Sequence, residues 1–425
     1  MTAPPEQPMP VAMSARERVD AALSFREPDR VPIDCSGMRS TGIAATAYGR
    51  LAAHLGLNRE PPHVYDVGQM LAEIEEPVRQ RFRFDVVPLE SWRSTWRSRE
   101  NVGRWTARTF WDGQPLAFPS DLPLEQDPQQ GWFLTDAAGR RTHRMPPGGF
   151  YFDALESKLP HPADDLPMPP LDTIPWQRTI SDEELDWLHA RARHIHDETP
   201  YAMLGAGYGH TFSAGFGGIP WVDWMCLLAA EPAYCRDGLL LAADAVVERL
   251  ALVEQAVGPY VSAWMVAADD MGTQKGEQFG VDTFMEVIQP AYARVCGWMR
   301  RHSRMKSFLH SCGSLYHLIP GLIDAGLDCL NPVQTSAANM DPRRLKHEFG
   351  GRIVFWGGGC DTQHVLWREP PEAVAEHVRE RIEIFAPGGG FIFCPVHNIQ
   401  ANVPPENIVA MYDAVARHGA YPITS

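Results

Sequence analysis

Phe308-Leu309-His310-Ser311-Cys312-Gly313 is an apolar run that ends in His-x-Cys and then a glycine. It reads as a strand followed by a turn. Residues two apart on a strand project to the same side, so the His310 imidazole and the Cys312 thiol converge on one point. A nitrogen and a sulfur donor meeting there suit zinc. At the C-terminal mouth of a barrel, such a point marks a metal-assisted site. Anywhere else it is a hydrogen-bonded histidine beside an inert thiol.

The chain around this stretch repeats strand then helix. Strands are predicted at 30–34, 85–89, 201–207, 262–268, 307–310, 329–333, 353–357 and 391–395, with helices at about 70–84, 282–300, 321–325 and 372–385. Alternating βα units with short, mostly buried strands imply a parallel sheet. Eight of them, with polar residues gathered just after each strand, fit an α/β fold of the (β/α)8 TIM-like barrel type better than an open doubly wound sheet. Ser14-Ala15-Arg16-Glu17 and Ser181-Asp182-Glu183-Glu184 are capping boxes that open helices. Residues 1–13 are a Pro-rich lead-in expected to be disordered, and 14–425 form a single barrel domain. Between about 91 and 176 tryptophans, glycines and prolines become dense, and alternation such as Trp132-Phe133-Leu134-Thr135 predicts an inserted β-rich segment of hairpins.

Composition narrows the function classes. The 425 residues are 44% hydrophobic and 21% charged, with a net charge of −15 and no basic run. Such a surface repels phosphate backbones, so no nucleic-acid partner is expected. No apolar run approaches the roughly 20 residues of a membrane span, and the N-terminus lacks a charged segment followed by an apolar core. Eight cysteines without framework spacing suit a reducing cytoplasm.

In a barrel the active site is built on the loops that follow the strands. Those loops carry Asp269-Asp270-Met271-Gly272-Thr273-Gln274, then His310 and Cys312, then Asn331 and Gln334. Next come Gly357-Gly358-Gly359-Cys360-Asp361-Thr362-Gln363 and, last, Cys394-Pro395-Val396-His397-Asn398-Ile399-Gln400. Thiols and imidazoles thus follow three neighbouring strands. Cys394 lies in an apolar strand and reads as core, with a place in the metal shell as the alternative. Adjacent residues on a strand face opposite ways, so one of Asp269 and Asp270 faces the mouth as an acid, a base or an anchor for a cationic group, while the other caps a turn or pairs with an arginine. The 357–359 glycines lack the register of a nucleotide loop. Trp105, Trp111 and Trp132 either roof an aromatic pocket or simply pack the insertion.

Taken in order, these segments resemble the uroporphyrinogen decarboxylase superfamily. The matching stretches begin at Glu27-Pro28-Asp29-Arg30-Val31-Pro32 and end at His397-Asn398-Ile399-Gln400 and Pro404-Pro405-Glu406-Asn407. The resemblance implies a (β/α)8 barrel and one of two chemistries: metal-free decarboxylation of porphyrinogen acetates, or zinc-dependent methyl transfer involving a corrinoid protein. The decarboxylases carry an arginine-rich segment after the first strand. Here that segment, Asp34-Cys35-Ser36-Gly37-Met38-Arg39, holds one arginine, a poor match to a polyanionic substrate. The methyltransferase branch has His-x-Cys at the place of His310 and Cys312 and a cysteine where this chain has His397.

The resemblance therefore implies a zinc-dependent methyltransferase. Its metal ligands would be His310, Cys312, Cys360 and His397, with His397 alternatively the nearby acid. Asp270 would be catalytic, and Arg39, Asp269, Gln334 and Gln400 would bind or orient a small methylated substrate such as an aryl methyl ether. No Asp-x-His-x-x-Gly signature is present, so a corrinoid (cobalamin) would arrive on a separate protein, and the family allows a homodimer. The alternative is a metal-free decarboxylase or lyase of a small carboxylate with Asp270 as the acid. A third reading is a barrel that only docks a corrinoid protein.

Overall fold

The computed structural model describes residues 12–57, 60–92, 102–155, 161–162, 165–176 and 179–423. Most of the Pro-rich lead-in and the first part of the insertion lie outside them. Seven strands, β1 (Val86–Leu89), β2 (Ala202–Gly205), β3 (Ala263–Ala268), β4 (Lys306–His310), β5 (Cys329–Asn331), β6 (Val354–Trp356) and β7 (Phe391–Ile392), form one sheet in the order β7-β6-β5-β4-β3-β2-β1. Every neighbouring pair is parallel, and helices connect successive strands.

The strand predicted at 30–34 is instead a single parallel bridge, Ile33 to Phe393. Pro32 has no N–H to give a ladder. The Ile33 N–H goes to the Asp85 carboxylate, at 2.8 Å. The segment still bonds both edges of the sheet: the Asp34 N–H donates to Phe393 O and the Asp85 N–H to Ile33 O. Asp85 is held in turn by Arg18 at 2.6 Å and Arg30 at 2.7 Å, which tie the first helix, Ala15–Leu23, to this junction.

Two helices differ from expectation. The stretch predicted helical at 70–84 begins as a strand, Leu71–Ala72, and only Glu76–Phe82 is helix, with Pro77 in its first turn where a missing N–H costs nothing. The one predicted at 282–300 contains a widened turn at Phe284–Ile288 just before Pro290, which supplies no donor.

Alternation along the strands divides the core. Val86, Ala202, Leu204, Ala263, Phe308, Cys329, Val354, Trp356 and Ile392 form one apolar cluster, which Val19, Ala22 and Leu23 of the first helix join. Phe308 belongs to it, so His310, two residues on, lies on the same face at the C-terminal end of β4. The outer faces pack on the helices in a second, larger cluster.

The insertion forms the predicted antiparallel hairpins. Trp105–Thr109 pairs with Pro115–Pro119, and Leu124–Asp127, Gly131–Thr135, Arg141–Met145 and Asp153–Ala154 make a four-stranded sheet. Trp132 packs on Phe110, Trp111 and Phe118 with centroids 5.1 to 5.6 Å apart. Trp105 stacks on His63 at 4.3 Å. No helix among the described residues is long and apolar enough to cross a membrane.

Candidate metal centre

Strand register brings the central residues together. On adjacent parallel strands Ala268 pairs with His310, and His310 with Asn331. The Asn331 side chain therefore reaches His310: Nδ1 of His310 lies 2.6 Å from Asn331 Oδ1, while Asn331 Nδ2 donates to Trp356 O at 2.8 Å. An amide whose nitrogen is committed to a carbonyl presents its oxygen to the imidazole, so Nδ1 carries the ring proton and Nε2 keeps a lone pair. That lone pair is 3.4 Å from Cys312 Sγ. A tetrahedral zinc holds a nitrogen and a sulfur ligand about 3.5 Å apart.

The third member is His397. The donor atoms of His310, Cys312 and His397 all lie within 4.8 Å of one another, and the two imidazole rings meet edge to face at 5.3 Å between centroids. His397 has a left-handed backbone, φ +69°, and the following Asn398 N–H donates to its Nδ1 at 2.8 Å. A metal on Nε2 would send the ring proton to Nδ1 and cost this bond, so His397 is the least prepared donor of the three. The set of two imidazoles and one thiol matches what zinc takes.

Glycine makes the Cys312 turn feasible. Gly313 has φ +88°, and an added Cβ would overlap the backbone of Gly272 in the loop after β3. Gln334 secures the turn by accepting the Gly313 N–H at 2.7 Å, and Asp270 does the same for the Cys312 N–H at 2.8 Å. Gln334 thus holds the Cys312 loop and is linked onward to Gln363 at 3.4 Å.

Electrostatics keep the donors neutral. Burial lowers the basicity of His310, opposed by its bond to Asn331 and by Asp270. Burial, with His310 alongside, pushes His397 down to about 4. Burial and the Asp270 carboxylate push the Cys312 thiol well up. It stays protonated until a cation displaces the proton, so metal capture would release it.

The other residues singled out from the sequence fall elsewhere. Cys360 is fully buried in the outer apolar cluster and is not in the group of donors that converge within 4.8 Å, its thiol 4.0 Å from Asp361 O and pushed up by burial. Expecting it as a ligand overlooked that the chain after β6 turns it into the wall. Cys394 is fully buried in the inner apolar cluster and accepts from Asn331 Nδ2 at 3.7 Å.

Asp269 does not face the mouth. Fully buried, it accepts from Ser213 N at 3.0 Å and Tyr292 Oη at 2.5 Å, holding the turn Phe212–Ala214. It is the turn-holding member of the Asp269–Asp270 pair and not a substrate ligand. Arg39 is engaged with Glu90, just after β1, at 3.1 Å and with Asp66 at 3.2 Å, and does not line the cleft described below. Gln400 accepts a short hydrogen bond from Tyr151 of the insertion and donates to Asn398 O at 3.1 Å.

An open cleft of about 690 Å³ adjoins the centre, lined by His310, Asp270, Thr211, Thr273, Glu277 and Trp221 among others. Asp270 reaches His310 Nε2 at 3.9 Å, and its side chain is 58% exposed. Trp221 and Glu277 were not anticipated. Trp221 opens the helix Trp221–Ala230 after a glycine-rich loop, and a lone tryptophan there carries no periodic signal.

Residues 222–418 match the family model described as Uroporphyrinogen decarboxylase (URO-D). The match takes in every loop of the centre and stops short of the 27–32 segment. No curated protein matches the chain. Among solved structures, a methyltransferase from Methanosarcina mazei superposes with TM-score 0.56 at 14% identity, covering 95% of this chain and 99% of that one. At that identity the likeness is one of fold. A GH113 beta-1,4-mannanase reaches TM-score 0.27 at 12% identity over 55% of this chain and 79% of that one, too low to carry an argument.

Proposed function

We propose that this chain, which carries a URO-D family domain over residues 222–418, is a zinc-dependent methyltransferase. It would move a methyl group between a small methylated substrate and a corrinoid protein or thiol acceptor. The observation that supports this most is the convergence of His310, Cys312 and His397, with Asn331 presetting the His310 tautomer. The shared fold with a protein described as a methyltransferase supports the same branch. The fold reading that goes with it is a closed (β/α)8 barrel, in which the Ile33 segment completes the ring.

Zinc, held by His310, Cys312 and His397, would supply Lewis acidity toward a thiol or a substrate oxygen. The chain's own residues do the rest. Asp270 fixes the Cys312 loop and presents its carboxylate to the cleft, where it can hold a proton or anchor a positive group. Gln334 keeps the loop from opening, and the Tyr151–Gln400 contact fastens the insertion beside the His397 turn. A corrinoid would be delivered by a separate protein. The cleft argues against the decarboxylase alternative, since Asp270 and Glu277 line it and no arginine or lysine does so among the described residues. A small carboxylate would meet like charge there.

The test is turnover. With methylcobalamin, zinc and a panel of thiols and methylated compounds, methyl transfer should appear, stop on strong chelation and fail in Cys312→Ala. Activity that survives chelation, or decarboxylation without methyl transfer, overturns the reading.

A further inference from the structure

Trp221 is an anomaly in an apolar accounting. Its side chain is large, yet the residue is 53% exposed at the start of its helix, on the wall of the cleft that His310 and Asp270 also line. An aromatic face left open inside a concave site is where a ligand is bound rather than where a core is built. Its chemistry is specific. The face of an indole attracts cations, and tryptophan does so best of the aromatic side chains.

The charges of the cleft point the same way. Glu277 is 13% exposed and committed to His317, accepting at 3.0 Å from both its N–H and its Nδ1. Asp270 gives Oδ1 to the Cys312 N–H and remains largely exposed. The lining therefore includes an exposed indole and an exposed carboxylate, and no arginine or lysine among the described residues. A chain of net charge −15 strengthens the same field. A neutral aryl ether would use the indole and bring no counter-charge to the carboxylate. An anion would be repelled.

We propose that the cleft selects a small methylated onium ion, a quaternary ammonium or a sulfonium, as its methyl-bearing substrate. The positive centre sits between Trp221 and Asp270, which places its methyl groups beside the His310–Cys312–His397 group. That the ion gives up a methyl group rests on the methyltransferase reading; the selection for a cation does not.

Binding separates the two. Calorimetric titration of the purified full chain, with and without added zinc, compares choline, its uncharged carbon isostere 3,3-dimethyl-1-butanol, methoxybenzene and benzoate. Choline should bind at least about tenfold tighter than its isostere. Trp221→Leu should weaken choline by about three- to thirtyfold and Trp221→Phe by less, as the ranking of aromatic faces requires. Asp270→Asn keeps an oxygen for the Cys312 N–H, removes the charge and should weaken choline while leaving the isostere unchanged. Equal or tighter binding of methoxybenzene or the isostere, no binding of choline, or choline affinity unchanged in both Trp221→Leu and Asp270→Asn overturns the proposal. Selective choline binding in a protein that transfers no methyl group upholds it and refutes the methyltransferase reading instead.

Discussion

His310 Nδ1 and Asn331 Oδ1 stand 2.6 Å apart on register-paired strands, and the nitrogen of the same amide donates to Trp356 O at 2.8 Å. The pair sets the protonation of an imidazole through the backbone of a third strand. Asn331→Leu removes both contacts. Zinc affinity should fall by about 10- to 100-fold, as measured by competition with a chromogenic chelator. An unchanged affinity would mean that Asn331 merely packs.

Asp269 and Asp270 are neighbours with opposite duties. Asp269→Ala orphans the buried Ser213 N–H and Tyr292 hydroxyl, at about 1–3 kcal/mol for each group left unmade. Asp270→Asn, at a largely exposed position, should stay within about 0.5 kcal/mol. Urea unfolding of the two variants checks this, and equal losses would contradict the assignment of one carboxylate to the wall and the other to the cleft.

Acid sensitivity has a definite sign. Burial, with the Arg381 guanidinium, pushes His377 down to about 4, and burial with His310 does the same to His397. Both rings protonate near pH 6.5 in an unfolded chain. Folding thus favours their neutral forms, and that stability is complete above about pH 6.5 and lost as pH falls toward 4. His377 accepts the Asp361 N–H at 3.3 Å, and His377→Gln keeps an acceptor there. Thermal midpoints of metal-free protein between pH 7.5 and 4 should fall less steeply in this variant, and parallel profiles would rule His377 out as a contributor.

Tyr151 joins the inserted arm to Gln400, and Gln400 reaches the Asn398 carbonyl beside His397. Tyr151→Phe removes one hydrogen bond, about 0.5–1.5 kcal/mol. Amide exchange in 147–153 should accelerate by roughly two- to tenfold, without change in global unfolding. No local acceleration would show that the arm is held by its aromatic packing alone.

The parts of this fold that repeat were the legible ones. Apolar runs ending in polar loops marked all seven strands of the sheet, and His-x-Cys on β4 carried its own geometric argument. The 30–34 segment failed as a strand because the Asp85 carboxylate, distant in sequence, takes the Ile33 N–H. Cys360 looked equivalent to Cys312 because both follow strands. Which way a side chain turns after a strand depends on the loop, here 357–363, and composition does not encode it. Trp221 was invisible for another reason: a single tryptophan after a glycine-rich loop looks the same whether it fills a core or opens on a cleft.

The central claim is that His310, Cys312 and His397 form one metal centre. Anomalous diffraction at the zinc edge, from crystals grown with zinc, tests it most directly. The account predicts one strong peak about 2.0–2.3 Å from the donor atoms of those three residues, with Cys360 outside the coordination sphere. No peak there, or a peak held by Cys360 without Cys312, would contradict it.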